Sequence, residues 1–286
     1  MKNGNLYKRD EELESEFNAM IGLMAEMITT QAMLPPMGQM PPQWSYDLHD
    51  LSMKLFKHLC SSRTLLEPCP FGTPTHRPFG YIDHSSIAVL TRSSIENYLV
   101  MHWIFKAESD SRREFNHRIW VYSGWKKRTK LFAGTPEARE ATLHAEENAA
   151  GLLSLIETSP IYQGYDSEKR KKVRKGLWDV DWTWKDLAKE AGLHHTYFAS
   201  IYPYLSGYTH SDFISALQVG QAKTLQDQYM LGVASISTNL MILGHFTYFY
   251  AEMFPTAKAV LEKSAAKALV DRWHLRAEDM NFLYEK

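Results

Sequence analysis

The chain has 286 residues, 44% of them hydrophobic, which is enough to bury one substantial core. Its 32 lysine and arginine residues nearly match its 33 aspartate and glutamate residues, so the net charge of -1 excludes bulk attraction to nucleic acid or to an anionic membrane. Two cysteines exclude a disulfide framework and fit a reducing cytoplasm. Binding to a charged partner must therefore come from a local patch.

Helical periodicity dominates the sequence, and the alternation typical of strands is nearly absent. We therefore predict an all-α fold with one multi-helix bundle domain of long antiparallel helices over residues 1–286. The predicted helices run from about Lys8 to Met33, Ser45 to Leu66, His84 to Phe105, Ser111 to Phe132, Thr135 to Glu157, Trp184 to Ala191, His195 to Tyr202 and Ala222 to Met253, with a helical tail over residues 255–286.

Proline and glycine mark the predicted breaks. The run PPMGQMPP at 35–42 ends the first helix, because proline removes a donor and fixes the backbone. The stretch EPCPFGTPTHRPFG is too rich in these residues to be regular, and we predict a long loop from Glu67 to Ile82, either a lid or a connector. Pro203 is predicted to end the helix that begins at His195.

Two helix starts carry capping signals. Ser111, with Glu114 three residues later, fits a capping box. Thr135, followed by Pro136 and Glu137, supplies a cap, a first-turn proline and a first-turn acid. The sequence therefore predicts that the fourth helix starts at Ser111 and the fifth at Thr135.

One segment, Tyr229 to Ala251, has no formal charge over a length that can span a bilayer. No cluster of lysine or arginine flanks it as an anchor. We predict a buried central helix and no membrane partner. The charged N-terminus lacks an apolar signal region, so we expect a cytoplasmic protein. The polar residues that interrupt the segment are Ser235, Ser237, Thr238, Asn239, His245 and Thr247.

The first candidate site is the pair Arg92 and Glu96 on the third helix. Residues four apart share a helical face, and apolar neighbours such as Leu99 and Trp103 indicate that this face is partly buried. A charge pair in apolar surroundings is costly to desolvate. The pair is therefore either a salt bridge that pins helix packing or part of a functional site.

The second candidate is the segment from Tyr204 through Ser206 to His210. A histidine one turn from a hydroxyl can move a proton near neutral pH. A histidine near a helix end also commonly caps carbonyls or fills a core gap, so this pattern alone leaves both readings open.

Three motifs together resemble a family of uncharacterised helical bacterial proteins, a domain of unknown function. They are TRSSIENY at 91–98, Trp182 with DLAKEAGL at 186–193, and YPYLSGYTH at 202–210. The resemblance covers about residues 85–250. It implies that four side chains approach one another in the bundle, namely Arg92, Glu96, Ser206 and His210.

A more distant resemblance is to HEPN-type helical domains, many of which are metal-independent ribonucleases acting as dimers. It implies that His210 is the general acid and base, that Arg92 stabilises the phosphate and that Glu96 orients Arg92, with Ser206 or Tyr204 supporting the histidine. Such chemistry needs no metal and no cofactor. It also implies a homodimer.

The sequence departs from the HEPN pattern at one point. The arginine of that pattern would stand at Pro203, Tyr204 or Leu205, and none of these is basic. Arg92 would have to act from another helix.

A basic run precedes three tryptophans, Trp178, Trp182 and Trp184. Phosphate contacts and base stacking could bind single-stranded nucleic acid there. A solvated helix followed by core tryptophans is the simpler alternative. The cations of the run are Lys169, Arg170, Lys171, Lys172, Arg174 and Lys175.

The segment at 184–202 has the local pattern of a helix-turn-helix, with Ala188 and Gly192 at the contact and turn positions. Its second helix carries no Arg, Lys, Asn or Gln to read bases, so DNA is the less expected partner. Metal-site motifs are too few for a di-iron bundle, with only Glu114 and His117 and a weaker pair at Asp271 and His274.

Our sequence-based hypothesis is a nucleic-acid-directed or nucleotide-directed protein of a bacterial defence system or mobile element, acting as a HEPN-like ribonuclease. One alternative is a non-enzymatic interaction protein with a buried Arg, Glu, Ser and His network. The other is a DNA binder that uses residues 184–202.

Overall fold

The computed structural model describes residues 7–32, 43–73 and 75–284. Within these ranges the chain forms helices and one two-stranded antiparallel hairpin, which confirms the predicted all-α class. The proposed break at 35–42 lies outside the described residues. The elements are α1 Glu11–Ala32, α2 Gln43–Leu65, β1 Cys69–Thr73, β2 His76–Tyr81, α3 His84–Phe105, α4 Asp110–Arg128, α5 Pro136–Glu157, α6 Pro160–Gln163, α7 Ser167–Arg174, α8 Trp184–Glu190, α9 His195–His210, α10 Phe213–Gln221, α11 Leu225–Met253, α12 Pro255–Lys263, α13 Lys267–Trp273 and α14 Ala277–Tyr284.

The chain divides into two compact units. The first unit comprises Met1–Val100 together with Ala188–Lys286, and the second unit comprises Met101–Leu187. Each unit has its own buried apolar side chains.

The first unit is built on α11, which packs against α1, α12 and α13. Its length and composition would allow it to cross a membrane, but 72% of its most apolar window is buried inside the protein. Asn239 and Thr247, two of its buried polar residues, have hydrogen-bond partners there. The Asn239 side-chain amide donates to Thr91 Oγ1 at 2.9 Å, and Thr247 donates to its own helix at Leu243. The predicted buried central helix is therefore confirmed, except that it begins at Leu225 rather than at Ala222.

A buried ion network joins α1, α2 and α11 in the first unit. Glu14 lies at its centre, accepting from Arg9 Nε at 2.9 Å and from the Tyr229 hydroxyl at 2.7 Å, with Arg63 at 3.0 Å. Burial favours the neutral acid, but the hydrogen bonds from Arg9 and Tyr229 and the Arg63 charge outweigh it, so the pKa of Glu14 lies below its ordinary value. The network holds these helices in register.

The second unit is built around the antiparallel pair α4 and α5. Its core cluster includes Phe115, Tyr122, Ile156, Tyr162 and Val173. Trp103 and Trp178 pack against this core and against each other, with ring centres 5.2 Å apart, and Trp182 packs on Trp178 at 4.9 Å. They are partly buried packing residues.

One of the two capping predictions is wrong. α4 begins at Asp110 because Ser109, in an extended conformation, accepts a hydrogen bond from Arg112 N, and Ser111 lies inside the helix. Two candidate caps two residues apart cannot be separated without the backbone conformation. α5 begins after Thr135, which accepts from Ala138 N, as predicted.

Two predicted irregularities are also wrong. The stretch from Glu67 to Ile82 contains the β1–β2 hairpin, in which Phe71 pairs with Phe79 across the strands. A two-stranded ribbon leaves each strand one free edge, where proline is tolerated. Pro203 does not end its helix, since α9 continues to His210.

Candidate functional site

Arg92 and Glu96 form an ion pair one turn apart on α3, with 3.0 Å between Arg92 Nη2 and Glu96 Oε1. Their side chains are 18% and 29% exposed, so the pair lies at the edge of the first unit rather than in its core. Arg92 Nε is buried without a hydrogen-bond partner in the described part of the chain. The prediction of a partly buried pair agrees with this placement.

Tyr202 of α9 connects this pair to the second candidate segment. Its hydroxyl donates to Glu96 Oε1 at 2.6 Å, and the Arg92 guanidinium lies 5.3 Å from the centre of its ring. The ring of Phe198 stacks on that of Tyr202, with ring centres 5.0 Å apart. Burial and the hydrogen bond to Glu96 raise the pKa of Tyr202 to about 12, so it is a neutral donor at physiological pH.

Tyr202 is not among the predicted site residues, because the prediction for this segment rests on the hydroxyls of Tyr204 and Ser206 near His210. The available signal was the helical period, since Phe198, Tyr202 and Ser206 recur every four residues and so share a face. The Ser206 hydroxyl donates to the Tyr202 carbonyl at 2.8 Å and is thus occupied by its own helix.

His210 is exposed at the C-terminal end of α9. It is eight residues beyond Tyr202, which corresponds to about 12 Å along a helix. Among the described residues, no hydrogen bond or ion pair joins His210 to Arg92, Glu96 or Tyr204. Arg92 and Glu96 therefore contact α9 at Tyr202 rather than at His210.

Tyr204 and Tyr208 form a second aromatic group on α9, with ring centres 5.6 Å apart. Tyr208 donates to Gln218 Oε1 at 2.8 Å, which ties α9 to α10. The ring of His84 lies 6.3 Å from Tyr208, buried, with both nitrogens lacking a hydrogen-bond partner among the described residues. Burial lowers the pKa of His84, so it is neutral at physiological pH.

A polar cleft of about 380 Å³ in the first unit contains the weaker metal motif. Asp271 accepts from the Tyr248 hydroxyl, and His274 packs on Tyr248 at 4.5 Å. Arg276 pairs with Asp279 at 3.4 Å. The side chains of this cleft thus form hydrogen bonds and ion pairs with one another. No cluster of three or more potential metal-ligating side chains occurs in the described ranges.

The basic run forms α7 of the second unit, and half of its cations have partners. Lys169 pairs with Asp181 at 2.6 Å, and Arg174 pairs with Glu157 at 2.7 Å. Arg170 donates to the Gln163 carbonyl and lies 5.7 Å from the Tyr162 ring centre. The remaining three cations are exposed and have no carboxylate partner among the described residues. They are Lys171, Lys172 and Lys175.

The end of α4 lies beside the end of α7. The Tyr122 hydroxyl donates to the Arg174 carbonyl at 2.8 Å, and a Cβ on Gly176 would meet Lys126 at 2.8 Å. Gly176 has a φ of +85°, which turns the chain there. We call the resulting group the lysine surface, and it comprises Lys126, Lys127, Lys130, Lys171, Lys172 and Lys175.

The possible DNA-reading helix is α9. Its buried side includes Phe198 and Leu205, and its N-terminus is capped by the His194 ring, which accepts from Thr196 N. The exposed positions in its first three turns carry no lysine or arginine. They are His195, Ala199, Ser200 and Pro203.

A family model matches residues 80–227, about half of the chain, and describes a family of unknown function. The predicted resemblance to an uncharacterised helical family is thereby confirmed, over a range that includes α3, α9 and α10. No curated protein and no solved structure matches the chain.

Proposed function

The chain belongs to the family of unknown function DUF5677, and we propose that it is a nucleic-acid-directed protein whose lysine surface binds the backbone of single-stranded RNA. The observation that carries this proposal is the set of exposed lysines on α7 that have no carboxylate partner in the described structure. Lys126 of α4 lies against Gly176 and extends this positive surface.

The form of this surface favours a polyanion over a small anion. A small phosphate is held by groups that converge in a pocket, whereas lysines spread along two helix ends suit a row of phosphates. Phe132, which follows α4, is 95% exposed and offers a ring on which a base can stack. With a net charge of -1, the whole protein provides no further attraction.

Lysines in the last turn also stabilise a helix through its dipole. The test must therefore measure binding rather than stability. Fluorescence anisotropy with a labelled single-stranded RNA, repeated over a series of salt concentrations, does so. Each lysine that contacts a phosphate adds about 0.7 to the slope of log K against log salt.

The variant to test is Lys172→Ala with Lys175→Ala. We expect weaker binding and a slope that falls by about 1.4. The matched control is Lys258→Ala with Lys263→Ala, which removes the same charge from exposed positions on α12 of the first unit. Equal slopes for the two double variants, or no binding by the wild type, would reject the proposal.

In a catalytic version of the proposal, the first unit cleaves RNA without a metal ion, as the HEPN resemblance implies. The protein would then act in a bacterial defence system or a mobile element. What supports it is that His210 is exposed and has no hydrogen-bond or ionic partner among the described residues, which leaves it able to exchange a proton with a ligand. In this version Arg92 stabilises the phosphate, and Glu96 holds Arg92 in place.

Cleavage is tested by incubating total RNA in excess EDTA with wild type, His210→Ala and His195→Ala, the last altering an exposed histidine at the other end of α9. Products made by wild type and His195→Ala but absent with His210→Ala would support the assignment. Equal products from all three variants would remove His210 from the site, and no products would leave a binding protein.

The two alternatives receive less support. A DNA binder through residues 184–202 lacks positive side chains on the exposed start of α9. A non-enzymatic interaction protein is compatible with the Arg92, Glu96 and Tyr202 network. A cytoplasmic location is our continuing proposal, because RNA is available there.

A further inference from the structure

The helix α10 presents its apolar side to solvent, the reverse of an ordinary surface helix. Only two of its nine residues, Ser215 and Gln218, are not exposed, and both are polar. At 100° per residue, the opposite face carries the apolar and small residues at positions i, i+3, i+4 and i+7. These are Phe213, Ala216, Leu217 and Gly220.

The exposed apolar area is large for so short a helix. Four of the 17 exposed large apolar side chains in the described structure lie on α10, and Phe213 is 77% exposed. Singly exposed apolar residues are ordinary, but a contiguous group is typical of an interface. Helices of this length are also marginal without tertiary contacts on their apolar face.

From this exposed apolar face we infer that α10 forms the interface of a homodimer, in which it pairs antiparallel with α10 of a second copy about a two-fold axis near Leu217. This inference is independent of RNA binding. It rests on the described residues of the first unit alone.

Charge complementarity favours a second copy. α10 contains no charged residue, so a self-pairing creates no repulsion along its length. Asp212 precedes the helix and Lys223 follows its last turn. An antiparallel pair centred on Leu217 sets Asp212 of each copy level with residue 222 of the other, next to Lys223. Two opposite charges therefore meet at each end, as an isologous contact requires.

The small residues of the face allow a close approach. Ala216 and Gly220 are four apart, so they form a flat strip alongside the row made by Phe213 and Leu217. Each large side chain of one copy can then lie against the strip of the other. A membrane surface is a poorer fit, because helices that lie on membranes carry lysine or arginine on their polar face, and α10 has none.

The adjoining hairpin can enlarge the contact. Gln228 accepts from Ile82 N at 2.8 Å and donates to the Ala222 carbonyl at 3.1 Å, which fixes the hairpin base beside the end of α10. Phe71 and Phe79 on that hairpin are 52% and 58% exposed. A standard interface buries about 800 Å² on each partner, more than α10 alone supplies, so these rings are the expected extension.

The test measures the mass of the full chain by sedimentation velocity over a range of concentrations. We expect a dimer for the wild type and a monomer for Leu217→Glu, whose dissociation constant should rise by roughly a hundredfold because two carboxylates would be buried at the axis. The matched control, Phe282→Glu, places the same charge at another exposed apolar position of the first unit and should remain dimeric. Both positions are exposed, so neither change disturbs the fold.

A second measurement checks the geometry. In a background where the exposed Cys69 is changed to serine, Leu217→Cys should form a disulfide between two chains on mild oxidation, and Phe282→Cys should not. A wild type that is monomeric at every concentration would overturn the inference. So would a dimer that survives Leu217→Glu, or a monomer that instead floats with anionic vesicles.

Discussion

The hydroxyl of Tyr202 on α9 donates a 2.6 Å hydrogen bond to Oε1 of Glu96 on α3, the same oxygen that pairs with Arg92. This three-residue arrangement gives Arg92 two neighbours, a carboxylate and an aromatic face. Its position at the edge of the first unit allows it both to stabilise helix packing and to contact a ligand.

Glu96→Ala should destabilise the first unit by about 1–3 kcal/mol, because it leaves both the Arg92 guanidinium and the Tyr202 hydroxyl without their acceptor. Tyr202→Phe removes one donor and should cost about 1 kcal/mol. Urea denaturation measures both. If Glu96→Ala retains full stability yet loses RNA cleavage, the pair serves a ligand rather than the fold.

The pKa of Glu14 is lowered in the folded chain from an ordinary value of 4.5. A carboxyl group with a depressed folded pKa contributes stability that is present above its unfolded pKa and lost as pH falls below it. The free energy of unfolding should therefore decrease below about pH 4.5, together with the Glu67 contribution of the same sign. Urea midpoints measured across this range test the effect.

Glu14→Gln should make the acid limb, which is the fall in the free energy of unfolding below about pH 4.5, shallower without abolishing it, because Glu14 no longer titrates but Glu67 still does. Glu12→Gln, an exposed position on the same helix, is the control and should leave the limb as it is in wild type. An unchanged limb in Glu14→Gln would mean that other carboxylates cause the acid unfolding.

Gly176→Ala and Gly124→Ala should have opposite effects. Gly176 has a φ of +85°, and a Cβ there would meet Lys126 at 2.8 Å, so alanine should cost about 1–2 kcal/mol. Gly124 lies inside α4 with open space around it, so alanine should stabilise the helix by about 0.5–1 kcal/mol. Thermal unfolding of the two variants gives the signs directly.

Pro203→Ala should raise stability, because alanine restores a helical hydrogen-bond donor in α9 and removes the clash of the ring with the carbonyl of Ala199. The expected gain is about 1 kcal/mol or more. A melting temperature below that of the wild type would show that the proline ring contributes to the packing of α9.

Much of the fold was predictable from local sequence. α3 has the predicted bounds, and α5 starts after its predicted cap. The signals that failed were ambiguous at short range. Ser109 and Ser111 are equally good N-cap residues by sequence. Proline in a two-stranded hairpin also cannot be distinguished by sequence from proline in a loop.

The helical class, the central position of α11 and the candidate residues on α3 and α9 follow from the amino-acid sequence, because they depend on periodicity and residue chemistry along one element. Which of these residues lie in contact follows from the packing of the helices. This packing joined Glu96 to Tyr202 rather than to His210 and placed Lys126 beside Gly176. It also turned the apolar face of α10 outward. These contacts depend on how helices pack against one another. The periodicity of apolar residues in a helix predicts that one face is buried, but it does not predict whether that face packs within the same chain or against another.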